Sequence, residues 1–238
     1  GSEMCIRDRA EQAVLLMLGV LRDVCGGDRS VRAGRQIETK EQYMIEGNLT
    51  ELSECTVGLI GFGDIAKATA SLLRAFGAKV VYTKKSPAPP DVETRYGVSF
   101  LPQDDLLAVS DIVSLHAPVN DETRYMVDAS FLEKMKDTAY LINTSRGEVI
   151  ETAALLKTLE NGLISDAVID VWENEPDINL SLLYKVFIGT PHIAGYSADG
   201  KANATRMSLD SLCRYFGIQA DYHIAPPEPE NPIIIAST

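Results

Sequence analysis

Three short segments place polar side chains directly after apolar runs. Together they hold the groups that reduction of a carbonyl by hydride requires. Asn143-Thr144-Ser145-Arg146-Gly147 follows Leu141-Ile142, Asp170-Val171-Trp172-Glu173-Asn174-Glu175-Pro176 follows Val168-Ile169, and Thr190-Pro191-His192-Ile193-Ala194-Gly195 follows Val186 to Ile188. A guanidinium such as Arg146 binds a substrate carboxylate and polarises the neighbouring carbonyl. An imidazole such as His192 protonates the developing alkoxide, because its unperturbed pKa lies near neutrality. A carboxylate such as Glu175 beside that imidazole raises its pKa and holds the ring in place. Taken singly, a lone Arg after a strand is usually a salt-bridge partner and a lone His is usually structural. Three such groups at successive strand ends make coincidence a poor account.

A second constellation lies upstream. Gly61-Phe62-Gly63-Asp64-Ile65-Ala66 falls where an apolar strand, Thr56 to Ile60, gives way to a helix from Ile65 to Phe76. In such a turn Gly61 permits the tight bend, Gly63 admits a pyrophosphate close to the backbone, and Ala66 lets helix pack on strand. The amides at Asp64 and Ile65 open the helix, where partial positive charge favours phosphate. A bare GxGxxA is weak evidence, but the flanking strand and helix, and a second strand about 20 residues on, strengthen it. At the end of that second strand, where an acid would bind the ribose hydroxyls of NAD, the sequence is Tyr82-Thr83-Lys84-Lys85-Ser86. Two cations and no carboxylate suit a 2′-phosphate, so the cofactor expectation is NAD or NADP, with Lys84 or Lys85 as the phosphate partner.

The elements that must position these residues follow from the apolar pattern. Helical spacing begins at Ala10 (Val14, Leu15, Leu18, Leu21) and is expected to end at Gly26-Gly27, with a polar surface stretch from Asp28 to Glu54. Strands are expected at 56–60, 78–82, 112–115, 140–143, 167–171 and 186–188. Helices are expected at 65–76, 106–109, 131–135 (with Ser130 and Glu133 as a capping box), 152–160 and 198–216, and a loop at 87–90. Strands that are apolar on nearly every residue are buried on both faces, as in a parallel sheet covered by helices. The alternation therefore predicts an α/β fold with a doubly wound parallel sheet, a Rossmann-type NAD(P)-binding domain, over residues 10–217. Residues 1–9 look like a tag or foreign lead. Residues 218–238 look like a linker with a strand-like Ile233-Ile234-Ile235.

Composition narrows the partners. Among 238 residues, 34 are acidic and 22 basic, a net charge of −12 that disfavours nucleic acid and anionic membranes. The longest apolar run, Val14 to Leu21, is far shorter than the ~20 residues of a membrane span. Four scattered cysteines and three scattered histidines offer no metal-ligand spacing, so no metal is expected, and a reducing cytoplasm is the simplest compartment.

The chain from about Ala10 to Gly217 resembles the D-isomer-specific 2-hydroxyacid dehydrogenases. The resemblance rests on AEQAVLLMLGVLR, VGLIGFGDIA, SLHAPVNDETRYMV, LINTSRGEVI, DVWENEP and TPHIAGYS. It implies Arg146 as the substrate-binding arginine, Glu175 as the partner acid and His192 as the general acid/base. It further implies Thr144, Ser145, Asp170 and Gly195 along the cofactor, with His116-Ala117-Pro118 lining the cleft. The stretch from Asp170 through the last helix is similar to the 4-phosphoerythronate dehydrogenases of this family, and 119–127 to its D-lactate, glycerate or phosphoglycerate members. Members carry a substrate domain ahead of the AEQAV helix, which is expected to be largely absent here. Two readings follow: a reductase of a small 2-oxo acid, or a dinucleotide-sensing domain whose output is a partner contact. In full-length members the AEQAV helix and the loop after it, here residues 29–36, serve a dimer contact, so the resemblance implies a homodimer.

Overall fold

The computed structural model describes residues 5–47 and 49–226. Seven strands form one sheet: β1 (Thr56–Ile60), β2 (Lys79–Thr83), β3 (Val98–Phe100), β4 (Ile112–Leu115), β5 (Tyr140–Asn143), β6 (Asp166–Ile169) and β7 (Ile188–Gly189). Their order is β3-β2-β1-β4-β5-β6-β7, and every neighbouring pair is parallel. The expected doubly wound parallel sheet is therefore present.

Successive strand residues feed opposite faces of the sheet. On one face Val57, Leu59, Tyr82, Ile112, Ile142 and Val168 pack against the first helix, α1 (Ile6–Leu21), and α4 (Asp64–Ala75), through Val14, Met17, Ala70 and Leu73. On the other, Ile60, Val113, Leu115, Leu141, Ala167 and Ile169 meet α6 (Gln103–Val109), α7 (Ala129–Leu132), α8 (Thr152–Glu160) and α9 (Leu180–Lys185). Chain order reverses between β1 and β4, so a crevice opens there beyond the strand C-termini, where doubly wound sheets bind ligands. The last helix, α10 (Ala198–Phe216), ends at Gly217 with φ of 65°.

Several elements depart from the sequence expectation. The first helix starts at Ile6, four residues before the expected Ala10, and so takes in residues 6–9 of the lead. It stops at Leu21, and Gly26-Gly27 lie inside α2 (Val24–Arg32), not at its end. There Asp23 accepts from the Gly26 amide and from the Tyr43 hydroxyl, fixing a new helix start. The surface stretch after it holds a further helix, α3 (Gln36–Glu46). Pro90 opens α5 (Pro90–Tyr96) rather than closing a loop, since proline suits the first helical turn. At α7 the cap is Asp128, which accepts from the Phe131 amide, in place of Ser130. The strand-like Ile233 to Ile235 and the linker from Pro227 onward lie outside the described residues.

Candidate dinucleotide cleft and acid–base site

The crevice is a cleft of about 1090 Å³, and Gly61, Gly63, Asp64, Ile65, Thr83, Lys84, Lys85, His116, Ala117, Pro118, Thr144, Ser145 and Arg146 all line it. Thirteen of the seventeen residues proposed from sequence thus share one wall system. Gly61 has φ of +95°, and a Cβ there would stand 3.1 Å from the backbone of His116 and Ala117. The glycine lets the turn after β1 press against the loop after β4. Gly63 differs: its φ is −84°, which any residue adopts, and a Cβ would meet nothing within 4 Å. The space before it is therefore open. Gly63 also caps α4 with no side-chain hydrogen bond, so the first amides of that helix face the opening uncapped. Open backbone, uncapped amides and the helix's partial positive charge together fit a pyrophosphate.

The rest of the cleft suits the remaining parts of a dinucleotide. Behind Thr83 the buried Tyr82 donates to Glu93 at 2.8 Å and stacks on Phe62, with ring centroids 4.2 Å apart, which makes a firm floor. Lys85 reaches over the opening to Glu122, 3.1 Å away on the loop after β4. His116 is half-buried and shares a 3.0 Å hydrogen bond with Ser114. Burial lowers its pKa to about 4, so the ring is neutral at pH 7. Arg9, in the first turn of α1, also lines the cleft. Burial, and then the Arg146 charge, lower its pKa, and its Nε has no hydrogen-bond partner among the described residues.

Arg146 stands at one end of this cleft, on the loop after β5. Asn143 shapes that loop: its Oδ1 accepts from the Ser145 amide and hydroxyl, and its Nδ2 donates to the Arg146 carbonyl at 3.0 Å. Gly147 then passes so close to the next loop that a Cβ would sit 2.0 Å from the Trp172 carbonyl carbon. The Arg146 loop and the Glu175 loop are in backbone contact because residue 147 has no side chain.

Glu175 and His192 meet one layer on. His192 Nδ1 lies 2.7 Å from Glu175 Oε2, while Glu175 Oε1 accepts from the Trp172 amide at 2.7 Å. The imidazole and carboxyl side chains keep 30% and 34% of their surface exposed, so the pair is steered but open. His192 has φ of 55°, and its amide donates to the Asp170 carbonyl at 2.7 Å. Asp170, fully buried, accepts from Thr190 Oγ1 and from the amides of Ile193 and Ala194. Both its oxygens hold the His192 loop, so Asp170 positions the imidazole and is not among the residues lining the cleft. Gly195, at φ of +94°, backs onto Arg9 of α1. Sequence reasoning gave Asn143, Gly147 and Glu122 no role. Asn143 and Gly147 were visible only as members of a polar strand end, and nothing in the chain pointed to Glu122.

Residues 14–194 match the family described as D-isomer specific 2-hydroxyacid dehydrogenase, NAD binding domain. The chain belongs to the D-isomer-specific 2-hydroxyacid dehydrogenase family. Among curated relatives, the erythronate-4-phosphate dehydrogenase of Bacteroides fragilis is 42% identical over 235 residues, covering 97% of this chain and 66% of the relative. That of Bacteroides thetaiotaomicron is 49% identical over 187 residues, covering 77% and 53%. The chain thus spans between half and two thirds of the length of these family members. Among solved structures, a glyoxylate reductase from Paecilomyes thermophila superposes with a TM-score of 0.76 at 31% identity, covering 88% of this chain and 62% of that one. The apo D-mandelate dehydrogenase of Rhodotorula graminis gives 0.81 at 26%, covering 95% and 69%. Among the described residues no helix is long and apolar enough to cross a membrane.

Proposed function

We propose that this chain binds a nicotinamide dinucleotide in the cleft and serves the oxidation of a D-2-hydroxy acid to its 2-oxo acid, or the reverse. The observation that carries this reading is the His192–Glu175 contact at 2.7 Å, one loop away from Arg146 at the cleft's end. Arg146 pairs with the substrate carboxylate. With Nδ1 engaged by Glu175, the other imidazole nitrogen of His192 takes the proton from the C2 hydroxyl during oxidation and returns it during reduction. Glu175 holds the ring in one tautomer and offsets the charge it gains. Thr144 and Ser145 shape the nicotinamide end, and Asp170 holds the His192 loop. A nicotinamide held there would supply or accept the hydride at C2.

The relatives named erythronate-4-phosphate dehydrogenases favour a phosphorylated four-carbon acid as substrate. Lys84, on the cleft wall with no acid on its own strand end, favours acceptance of NADP beside NAD. A homodimer is supported by α2 and α3, which bury none of their residues in this chain. The four free cysteines fit a reducing compartment such as the cytoplasm.

The test is replacement of His192 by Asn. Oxidation of NADH with 2-oxo acids is expected to fall by roughly 10²-fold or more, with NADH affinity unchanged. Full activity in that variant would exclude His192 as the acid/base.

A further inference from the structure

We propose that Lys201 holds the phosphate of a phosphorylated substrate, on the side of His192 away from the dinucleotide cleft. This rests on the 2-hydroxyacid reading of the Arg146–Glu175–His192 site and adds a residue that selects its substrate. Tyr196 lies four residues beyond His192, with ring centroids 6.1 Å apart and planes at 64°. The Lys201 ammonium stands 4.1 Å from the centre of the same tyrosine ring. The phenol ring thus links imidazole and ammonium, and neither Tyr196 nor Lys201 is among the residues lining the dinucleotide cleft.

Helix stability does not account for a lysine at this place. Lys201 sits in the first turn of α10, where the helix dipole disfavours a cation. Its side chain points back towards the helix N-terminus, as helical side chains do, which returns it over Tyr196. Among the described residues no carboxylate pairs with it. A cation on an exposed aromatic face gains only about 0.5–1 kcal/mol, and the ammonium keeps most of its hydrogen-bonding capacity for another partner. Asp199 lies in the same first turn, and Asp8 of α1 accepts from the Ser197 amide at 2.8 Å and is committed there. A four-carbon acid with its carboxylate on Arg146 and its C2 oxygen on His192 directs its far end towards Tyr196 and Lys201. A terminal phosphate there meets an ammonium, and a terminal hydroxyl gains much less.

The experiment needs no turnover. The full chain, saturated with NADH, is titrated with 4-phospho-D-erythronate and with D-erythronate by calorimetry. The unmodified chain should bind the phosphorylated acid roughly ten-fold or more tightly than the other, as a charge-assisted contact implies. In Lys201→Gln that ratio should fall to within about three-fold, with D-erythronate and NADH affinities unchanged; Lys201→Arg should keep most of it. Lys201→Glu should reverse the preference. If Lys201→Gln keeps the full ratio, the assignment of Lys201 fails while the phosphorylated-acid reading stands. If the unmodified chain shows no preference, or binds neither acid while still binding NADH, both are overturned.

Discussion

At the residue scale, two glycines separate what holds this fold from what the fold is for. Gly147 has no room: a Cβ would lie 2.0 Å from the Trp172 carbonyl carbon and 2.3 Å from the Glu173 amide nitrogen, both backbone atoms. Gly147→Ala must therefore push the Arg146 and Glu175 loops apart, and should destabilise the chain by about 1–3 kcal/mol or more. Gly63 has room, with nothing within 4 Å of its Cβ position. Gly63→Ala should lose under about 1 kcal/mol, the ordinary difference between these residues at a helix N-cap, while NADH affinity falls at least about ten-fold as the methyl fills the phosphate's space. Urea denaturation and a fluorescence titration on both variants check the pair. Equal losses of stability, or a Gly63→Ala that binds NADH normally, would contradict this division. The proposed trio of Arg146, Glu175 and His192 stood out in the sequence because charged side chains after fully apolar strands have few structural reasons to be there. Asn143 did not, because its work consists of three hydrogen bonds within the loop, to Ser145 and to the Arg146 backbone. Only the folded loop reveals them.

At the scale of elements, the sheet order brings together residues that the sequence keeps 37 positions apart. Because β1 lies between β2 and β4, the loops leaving β2 and β4 face each other over the cleft, and Lys85 meets Glu122. The side chains are 84% and 75% exposed, so the pair adds little stability, at most about 1 kcal/mol. Its consequence is for the cofactor. The carboxylate missing from the end of β2 arrives from the opposite wall and occupies one of the two lysines proposed for a 2′-phosphate. Glu122→Gln removes that competitor and its repulsion, so the NADPH-to-NADH affinity ratio should rise by about three- to ten-fold with the melting temperature unchanged. An unmoved ratio would place the pair clear of the ribose. The strands themselves were legible where burial on both faces made every residue apolar: β1, β4 and β5 occupy the expected residues. The edge strand β3 was not, because only Val98 of its three residues is buried. Helices α2 and α3 were hidden for a related reason. They bury nothing in this chain, so no apolar period marks them, and the start of α2 depends on the distant Tyr43 hydroxyl reaching Asp23.

At the scale of the whole molecule, that same absence of burial suggests where a second copy belongs. Val31, Ile37, Met44 and Ile45 stand largely in solvent, Ile45 at 85% exposure, and Val31, Tyr43, Met44 and Leu49 line an apolar groove of about 430 Å³ between α2 and α3. Two helices held to the rest of the chain mainly through α1 gain little by keeping such side chains wet. A two-fold contact would cover the same patch on both copies, with stable dimers burying roughly 800 Å² on each. The double variant Met44→Glu, Ile45→Lys places charges where that contact would be dry. Sedimentation of the unmodified chain should give a mass near twice 25.9 kDa, and the variant should sediment as a monomer with its NADH affinity retained. The melting temperature should rise with protein concentration for the unmodified chain alone, since association stabilises only what associates. A monomer at every concentration in both proteins would mean that the α2–α3 face stays open between copies of this chain.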